Sequence, residues 1–167
     1  MSEEQIPADI VLRHDIRPGD IGMITYLHGL HFAEEHGFGG EFEAKVAASL
    51  GEFYLSFNPD KERLWLAEKN GQVIGSAGIV EISQLQARLR WFIIDPANRG
   101  LGLGRVFLNE AIDFCKQCGY KSIFLETFSE LKAAGHLYKS AGFKFIEEKK
   151  QNLFGPTVTE QHYILNL

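Results

Sequence analysis

The alternation of apolar and polar residues divides the first third of the chain into one strand and two helices. Residues 10–17 alternate in a way that predicts a first strand. Asp20 is predicted to cap a first helix that ends near His36. After a glycine-rich joint, apolar residues recur at helical spacing over residues 42–56, which predicts a second helix.

A β-hairpin is the strongest local signal in the chain. Residues 63–68 and 73–80 have the composition of strands, and Asn70–Gly71 lies between them. Asn-Gly readily adopts the positive φ angles of a type I′ turn, so the two strands are predicted to pair antiparallel. A third strand over residues 87–94 is predicted to end at Asp95–Pro96, because proline cannot donate to a continuing ladder.

The second half of the chain alternates between helices and strands. The pattern predicts a helix over 102–118, a strand over 122–127, a helix over 132–141 and two strands over 143–149 and 162–167. The complete order is βααβββαβαββ. It predicts the α/β class, with a mixed twisted sheet of about seven strands and four helices.

Length and composition are those of one folded domain. The chain has 167 residues, of which 45% are hydrophobic and 12% aromatic, enough to bury a core. We expect residues 1–8 to form a flexible N-terminal tail and residues 9–167 to form the domain.

Charge and hydropathy disfavour two classes of partner. A net charge of −5 disfavours attraction to a nucleic-acid backbone. No apolar run reaches the roughly 18 residues of a membrane span, and the acidic start lacks the basic residues of a secretion signal. We therefore expect a cytoplasmic protein that binds neither nucleic acid nor a membrane.

Two cysteines, Cys115 and Cys118, have the CxxC spacing of redox proteins. A reactive pair needs the start of a helix, where the helix dipole stabilises a thiolate. This pair lies in the last turn of a predicted helix, before Gly119. We therefore expect two reduced, unreactive thiols.

A glycine-rich loop over residues 99–104 connects the predicted strand over residues 87–94 to the next predicted helix. Its alternate glycines let backbone N–H groups approach an anion, and the helix directs its positive N-terminal end to the same point. Arg105 and Val106 exclude a Walker A loop, which needs Lys followed by Ser or Thr. A dinucleotide fingerprint would need a third glycine where Arg105 or Phe107 stands. The loop predicts a ligand that carries phosphates.

A third phosphate-binding motif fits the loop. It consists of Arg or Gln, two residues, Gly, one residue, then Gly or Ala, and these positions are filled here by Arg99, Gly102 and Gly104. Asp95–Pro96 precede it, and residues 137–143 follow as Leu-Tyr-Lys-Ser-Ala-Gly-Phe. In these motifs and their spacing the chain resembles the GNAT acetyltransferases, over nearly its whole length. The resemblance implies a single-domain GNAT (acyl-CoA N-acyltransferase) fold.

Three further segments, residues 40–46, 87–91 and 154–161, are similar to the acetyltransferase half of bacterial fusions that carry a MarR-type DNA-binding domain. We expect the regulator half to be absent, because the chain starts directly with the first strand of the acetyltransferase. A bacterial acetyltransferase is therefore the class that the resemblance implies.

The resemblance implies acetyl-CoA as cosubstrate. Backbone groups of Phe92 and Ile94 would hold the acetyl and pantetheine arm, and N–H groups of the loop with Arg105 would bind the pyrophosphate. The family often has Asn after the strand that ends near residue 127, whereas this chain has Phe128 followed by Ser129. The cofactor-binding residues implied are Phe92, Ile93, Ile94, Arg99, Gly100, Leu101, Gly102, Leu103, Gly104, Arg105, Ser129 and Tyr138.

Three side chains are candidates for proton transfer. The family places its general acid in the motif that holds Tyr138, and a tyrosine with a reference pKa of about 10 stays protonated at neutral pH. Glu126 and Glu81 lie near the ends of two predicted strands and are the candidates for the base, acting through water. Either glutamate is also consistent with a solvated charge at the end of a strand.

In this family the first two helices form the wall of the acceptor site. Here the candidates for acceptor contact are Tyr26, His31, Phe32 and Glu35. His28 and His31 share a helix face, but no cysteine or HExxH arrangement accompanies them, so no metal site is expected.

The leading hypothesis is transfer of acetyl from acetyl-CoA to the primary amine of a small molecule. Two alternatives stay open: a noncatalytic sensor that binds acyl-CoA and acts with a separate regulator, and acetylation of a protein or peptide. Bulky residues Phe32, Phe38 and Phe42 favour a closed pocket over a polypeptide groove. A homodimer is possible through the C-terminal strand, which ends in Tyr163–Leu165.

Overall fold

Eleven helices and strands follow one another in residues 5–167, the part of the chain that the computed structural model describes. They are β1 (Ile10–Arg13), α1 (Asp20–His36), α2 (Gly40–Leu55), β2 (Arg63–Lys69), β3 (Gln72–Glu81), β4 (Gln86–Ile94), α3 (Leu103–Gln117), β5 (Ser122–Phe128), α4 (Lys132–Ser140), β6 (Lys144–Asn152) and β7 (Thr157–Asn166), with a 3₁₀ turn at Pro96–Asn98. The predicted order of elements and the α/β class are confirmed.

All strands form one mixed sheet in the order β1-β2-β3-β4-β5-β7-β6. Neighbours pair antiparallel except β4 and β5, which are parallel. The hairpin turn has φ 54° at Asn70 and 75° at Gly71, as its sequence predicts. Because β7 lies between β5 and β6, both of its edges are paired. Tyr163 thus pairs with Leu125 on one side and with Phe145 on the other, and a homodimer through this strand stays a prediction.

The start of α1 differs from the sequence prediction. Gly19, with φ 95°, precedes the helix, and Asp20 is its first residue and does not act as its cap. The Asp20 side chain is buried and accepts hydrogen bonds from Arg13 at 2.9 and 2.7 Å. β1 ends at Arg13, earlier than the predicted residue 17, and the side chain of Arg13 pairs with Asp20 and Glu68.

Two apolar clusters pack against the two faces of the sheet. Leu27 of α1 and Leu50 of α2 belong to the cluster on one face, while Phe107 of α3 and Tyr138 of α4 belong to the cluster on the other. Burial of this kind contributes about 25 cal/mol per Å² of apolar surface, so both faces stabilise the sheet. The sheet consequently separates the two helical pairs.

Three further predictions concern the N-terminal tail, the thiols and the membrane. Residues 1–4 of the predicted tail lie outside the described residues, while Ile6 packs against the core and Pro7 accepts a hydrogen bond from the Ile10 N–H. Cys115 is a free, buried thiol near the end of α3, and burial raises its pKa to about 12. None of the helices in residues 5–167 has the length and apolar character needed to cross a membrane.

Candidate functional site

The sheet opens between β4 and β5. These strands pair at only three positions, from Gln86 opposite Ser122 to Arg88 opposite Phe124, and then separate. Beyond that point the edge of β4 that faces β5 has no strand partner as far as Ile94. Two cavities enter this opening, and the residues that line both are Phe32, Phe92 and Leu131.

A β-bulge in β4 shapes the opening. Trp91 has φ 49°, and Trp91 and Phe92 together lie opposite one residue of β3, Ala77. Buried Ser76 donates from its hydroxyl to the Trp91 carbonyl at 2.6 Å, which fixes the bulge. Gly78 leaves room for the Trp91 ring, since a Cβ there would lie 2.7 Å from the Trp91 Cε3 atom.

The bulge changes which side chains of β4 face each side of the sheet. Before it, Leu89 packs in the cluster that contains α3; after it, Ile93 packs in the cluster that contains α1 and α2. Arg88 and Arg90 therefore share a face with the first two helices, whereas Phe92 turns toward α3 and α4.

The larger cavity, of about 660 Å³, lies over the glycine-rich loop; we call it the loop cavity. Gly100 has φ 78° and open space around it, and Gly102 has φ 82° directly before α3. Both glycines and the first residues of α3 line the cavity, and glycine backbone beside a helix N-terminus is typical of an anion site. A Cβ on Gly104 would lie 2.8 Å from Leu137, so glycine also permits close packing of α3 on α4.

Most of the predicted cofactor residues meet in the loop cavity: Phe92, Ile93, Ile94, Arg99, Gly100, Gly102, Leu103, Gly104 and Arg105. Leu101 and Ser129 do not line it, and the Ser129 N–H donates instead to the Thr159 carbonyl at 2.9 Å. Sequence reasoning missed the start of α4, which contributes Lys132, Ala133 and Ala134 to the opposite wall. Because α4 follows β5, the parallel partner of β4, the topology could have indicated this wall.

An ion pair spans the edge of the loop cavity. Arg99 donates to both carboxylate oxygens of Glu35, at 3.0 and 2.8 Å, and this pairing lowers the pKa of Glu35. Both side chains are partly exposed, so the pair contributes little to stability. Glu35 therefore lies with the predicted phosphate-binding residues, and Phe32, another acceptor candidate, lines the same cavity.

The second cavity, of about 440 Å³, lies on the α1–α2 side of the opening; we call it the β4–β5 cavity. Phe32, Phe42 and Phe154 form an aromatic wall, with ring centroids 4.5 Å and 5.2 Å apart in successive pairs. The hairpin between β6 and β7 is held there, because the Gly39 N–H donates to the Phe154 carbonyl at 2.8 Å. This wall encloses a space suited to a small molecule.

Tyr138 stands where the two cavities meet. Its buried ring packs edge-on against Phe92, with centroids 5.6 Å apart, and burial raises the pKa of its phenol. Tyr138 lines the β4–β5 cavity while its neighbour Leu137 lines the loop cavity. Within residues 5–167 the Tyr138 hydroxyl has no hydrogen-bond partner, so it is free to donate to a ligand.

Charged groups from three strands meet in the β4–β5 cavity. Arg88 donates to Glu126 at 2.8 Å, and the carboxylate of Glu160 lies 3.0 Å from His162 Nε2. Burial lowers the pKa of His162, but its contacts with Glu160, Glu126 and Glu147 outweigh this effect and raise it overall. Ligand atoms of Glu126, Glu160 and His162 lie within 4.8 Å of one another, but the Arg88 guanidinium on Glu126 disfavours a metal cation there.

Three predicted site residues lie elsewhere. Glu81 is near the opposite end of the sheet, where Tyr120 donates to its carboxylate at 3.4 Å, and it lines neither cavity. Tyr26 is about half exposed on α1 and also lines neither cavity. His31 has its Nε2 atom 3.5 Å from Asp95, beside the loop. Glu126 is thus the candidate base that the structure brings to the opening.

His28 is a buried histidine in the aromatic wall of the β4–β5 cavity. Its Nδ1 atom lies 2.8 Å from the Ile24 carbonyl, and burial lowers its pKa to about 4. Between about pH 6.5 and pH 4 the unfolded chain therefore binds a proton that the folded chain does not. The free energy of unfolding falls as the pH is lowered through this window. Between pH 7 and pH 5 this residue should remove about 2 kcal/mol of unfolding free energy.

Urea denaturation at the two pH values measures this contribution. His28→Gln, whose amide can still donate to Ile24, should reduce the difference between pH 7 and pH 5 by about 2 kcal/mol. His136→Gln, at an exposed position on α4, is the matched control and should leave the difference as in the parent protein. An unchanged pH dependence in His28→Gln would show that His28 titrates normally in the folded state.

Comparison with known proteins identifies similar chains. A sequence model described as the Acetyltransferase (GNAT) family matches residues 29–143. The uncharacterized N-acetyltransferase YjgM of Escherichia coli is 30% identical over 102 residues, which are 59% of this chain and 61% of YjgM. The chain spans about half the length of the curated relatives that it matches, with shares of 61%, 52% and 44% for three of them.

Solved structures share the fold across nearly the whole chain. One is yncA of Salmonella typhimurium, described with its cofactor acetyl-CoA, at a TM-score of 0.74 and 21% identity over 95% of this chain and 94% of that one. Another is a spermidine N-acetyltransferase of Vibrio cholerae, in complex with CoA and spermine, at a TM-score of 0.71 and 22% identity over 96% of each chain. At these identities the likeness establishes the fold.

Proposed function

Because the chain belongs to the acetyltransferase (GNAT) family, we propose that it transfers the acetyl group of acetyl-CoA to the amine of a small molecule. The observation that carries the proposal is the meeting of two cavities at Phe92, whose ring packs against Tyr138 of the β4–β5 cavity. One cavity has the features of an anion site and the other an aromatic wall with charged groups. Two ligands placed in them would bring their reactive ends together at the free Tyr138 hydroxyl.

The residues of the loop cavity fit acetyl-CoA. Gly100 and Gly102 present backbone N–H groups for a pyrophosphate, and Arg105 lies in the first turn of α3. The unpartnered edge of β4 can hydrogen-bond to the amides of a pantetheine arm as a further strand would. The acetyl-CoA that was found in yncA is consistent with this assignment.

The residues at the junction supply the proton transfers. Transfer forms a bond between the amine nitrogen and the acetyl carbon and breaks the bond from that carbon to sulfur. The leaving sulfur needs a proton, which Tyr138 can donate because its raised pKa keeps the phenol protonated. The amine must lose a proton, and the carboxylates of Glu126 and Glu160, the latter missed by sequence reasoning, are the acceptors in the same cavity.

A panel of primary amines with acetyl-CoA, read by release of free CoA thiol, tests the proposal. Amino acids, polyamines, aminoglycosides and short peptides cover the main classes of small acceptor. We expect saturable transfer to at least one small amine, with the acetylated product confirmed by mass. Tight binding of acetyl-CoA with transfer to no amine would favour the noncatalytic sensor instead.

Gly102→Ala should weaken acetyl-CoA binding by about 5- to 10-fold. A side chain at φ 82° costs roughly 1 kcal/mol, which the loop relieves by moving its N–H groups away from the anion. Isothermal titration with acetyl-CoA gives the dissociation constant. Gly22→Ala is the matched control, because this glycine lies within α1 in open space and should leave the constant unchanged. Equal constants for Gly102→Ala and the parent protein would remove the loop from the binding site.

A further inference from the structure

Arg90 is a half-buried cation that pairs directly with no carboxylate of residues 5–167, and the negative charges of Glu126 and Glu52 act on it only from a greater distance. Its side chain lines the β4–β5 cavity, and its guanidinium carbon lies 4.8 Å from the centroid of the Trp91 ring. Within residues 5–167 no carboxylate lies within ion-pairing distance of it. Its neighbour Arg88, in contrast, is neutralised by Glu126 at 2.8 Å.

A charge in this position is costly unless a ligand pairs with it. Removal from water disfavours the charged guanidinium, and burial accordingly lowers the pKa of Arg90. The Trp91 ring attracts the guanidinium as a cation, and within residues 5–167 no acceptor takes a hydrogen bond from its N–H groups. A guanidinium is a planar fork of donors, which matches a carboxylate that can accept two parallel hydrogen bonds.

The other charges of the cavity complement an amine on the same molecule. Glu126, which contacts Arg88, and Glu160, which contacts His162, supply negative charge. Lys45 on α2, 3.6 Å from Glu41, adds a third positive group at the exposed side. The cavity volume of about 440 Å³ accommodates a molecule with the size of an amino acid or a short peptide. Its phenylalanine wall favours an apolar side chain.

We propose that the acceptor is an amine that also carries a carboxylate, as free amino acids do, and that Arg90 binds this carboxylate. The inference rests on the proposed acetyl transfer and names the class of acceptor for it. Arg90 then determines specificity, while the amine lies toward Glu126, Glu160 and the junction at Tyr138.

Acceptors that differ only in the carboxylate test this inference. We would compare L-phenylalanine with L-phenylalaninamide and phenethylamine, and L-methionine with L-methioninamide, by thiol release. The amides have less basic amines and hence more free amine at neutral pH, which biases the comparison against the expected result. We expect kcat/KM for the amino acids to exceed that for their amides at least 10-fold. The dipeptide Phe-Gly distinguishes a free amino acid from a peptide N-terminus, because its carboxylate lies one residue farther from the amine.

Variants of Arg90 assign the effect to this side chain. Arg90→Gln should lower kcat/KM for the best amino acid by about 10- to 100-fold, mainly through KM, and leave the value for its amide unchanged. Arg90→Lys should recover only part of the loss, because an ammonium lacks the planar fork. Arg17→Gln removes one exposed arginine near β1 and is the matched control for net charge. Equal losses for acid and amide in Arg90→Gln would overturn the assignment.

The failures of the two proposals can be told apart. Transfer to amines without preference for the carboxylate would overturn the acceptor class and leave the acetyl transfer standing. If no amine is acetylated, acetyl transfer fails, and binding of N-acetyl-L-phenylalanine measured by titration calorimetry still decides the role of Arg90. Binding that Arg90→Gln weakens at least 10-fold would support a carboxylate site, and binding that this variant leaves unchanged would exclude it.

Discussion

Replacing Tyr138 with phenylalanine should lower kcat by about 100-fold or more while leaving the dissociation constant of acetyl-CoA nearly unchanged. A positioned general acid contributes typically 10²- to 10⁴-fold to a rate. The variant keeps the buried ring and its packing on Phe92, and removes only the hydroxyl, which has no hydrogen-bond partner in the described residues 5–167. Steady-state kinetics with a good acceptor and calorimetry with acetyl-CoA measure the two quantities.

Tyr163→Phe is the matched control for this prediction. Tyr163 is also buried, its ring centroid lies 6.5 Å from that of Tyr138, and its hydroxyl donates to Gln161 at 3.2 Å. Its variant should retain kcat within a few-fold. Because burial raises the pKa of Tyr138, the rate of the parent protein should not fall between pH 7 and pH 9 through loss of this proton. Full activity of Tyr138→Phe would assign the proton to another donor, such as water.

Arg13→Met should lower the free energy of unfolding by about 3–5 kcal/mol. Arg13 joins three elements, since it donates to Asp20 of α1 and, at 3.0 and 2.8 Å, to Glu68 of β2. The side chains of Arg13 and Asp20 are only 8% and 5% exposed, so removing the guanidinium leaves a buried carboxylate without its cation. Urea denaturation at neutral pH gives the difference.

Two further variants decide whether burial causes this loss. Arg17→Met removes an exposed arginine that pairs with Asp15, and it should cost less than about 1 kcal/mol. Adding Asp20→Leu to Arg13→Met should recover part of the stability, because the double variant no longer buries an unpaired charge. A loss under 1 kcal/mol for Arg13→Met alone would show that solvent reaches Asp20.

Local sequence signals predicted most of the fold and the loop. Asn70–Gly71 encode their own turn, and Asp95–Pro96 end a strand without help from distant residues, so both could be predicted from short segments. The glycine-rich loop could be predicted for the same reason, because its backbone angles and the helix after it depend on neighbouring residues.

The β4–β5 cavity could be predicted only in part, because distant segments build it. Polar and apolar residues alternate along β4 only as far as Trp91, and the four residues Trp91–Ile94 are all apolar, so the strand alone does not show which face each of them occupies. The bulge at Trp91 depends on Ser76 and Gly78 of β3. Glu160 and Phe154 come from the β6–β7 hairpin, and only the order of strands in the sheet brings them to the cavity. The same order places Glu81 away from it.

The bulge has a consequence for how such a protein can diversify. By inverting the pleat within one strand, it places Arg88, Arg90 and Ile93 on the α1–α2 side of the sheet and Phe92 and Ile94 on the α3–α4 side. If the proposed function holds, point substitutions at positions 88 and 90 would alter the choice of acceptor and leave the residues of the loop cavity unchanged. A single-residue insertion or deletion in β4 would instead move the side chains that follow it to the opposite face of the sheet. This strand therefore tolerates substitutions but not changes in length.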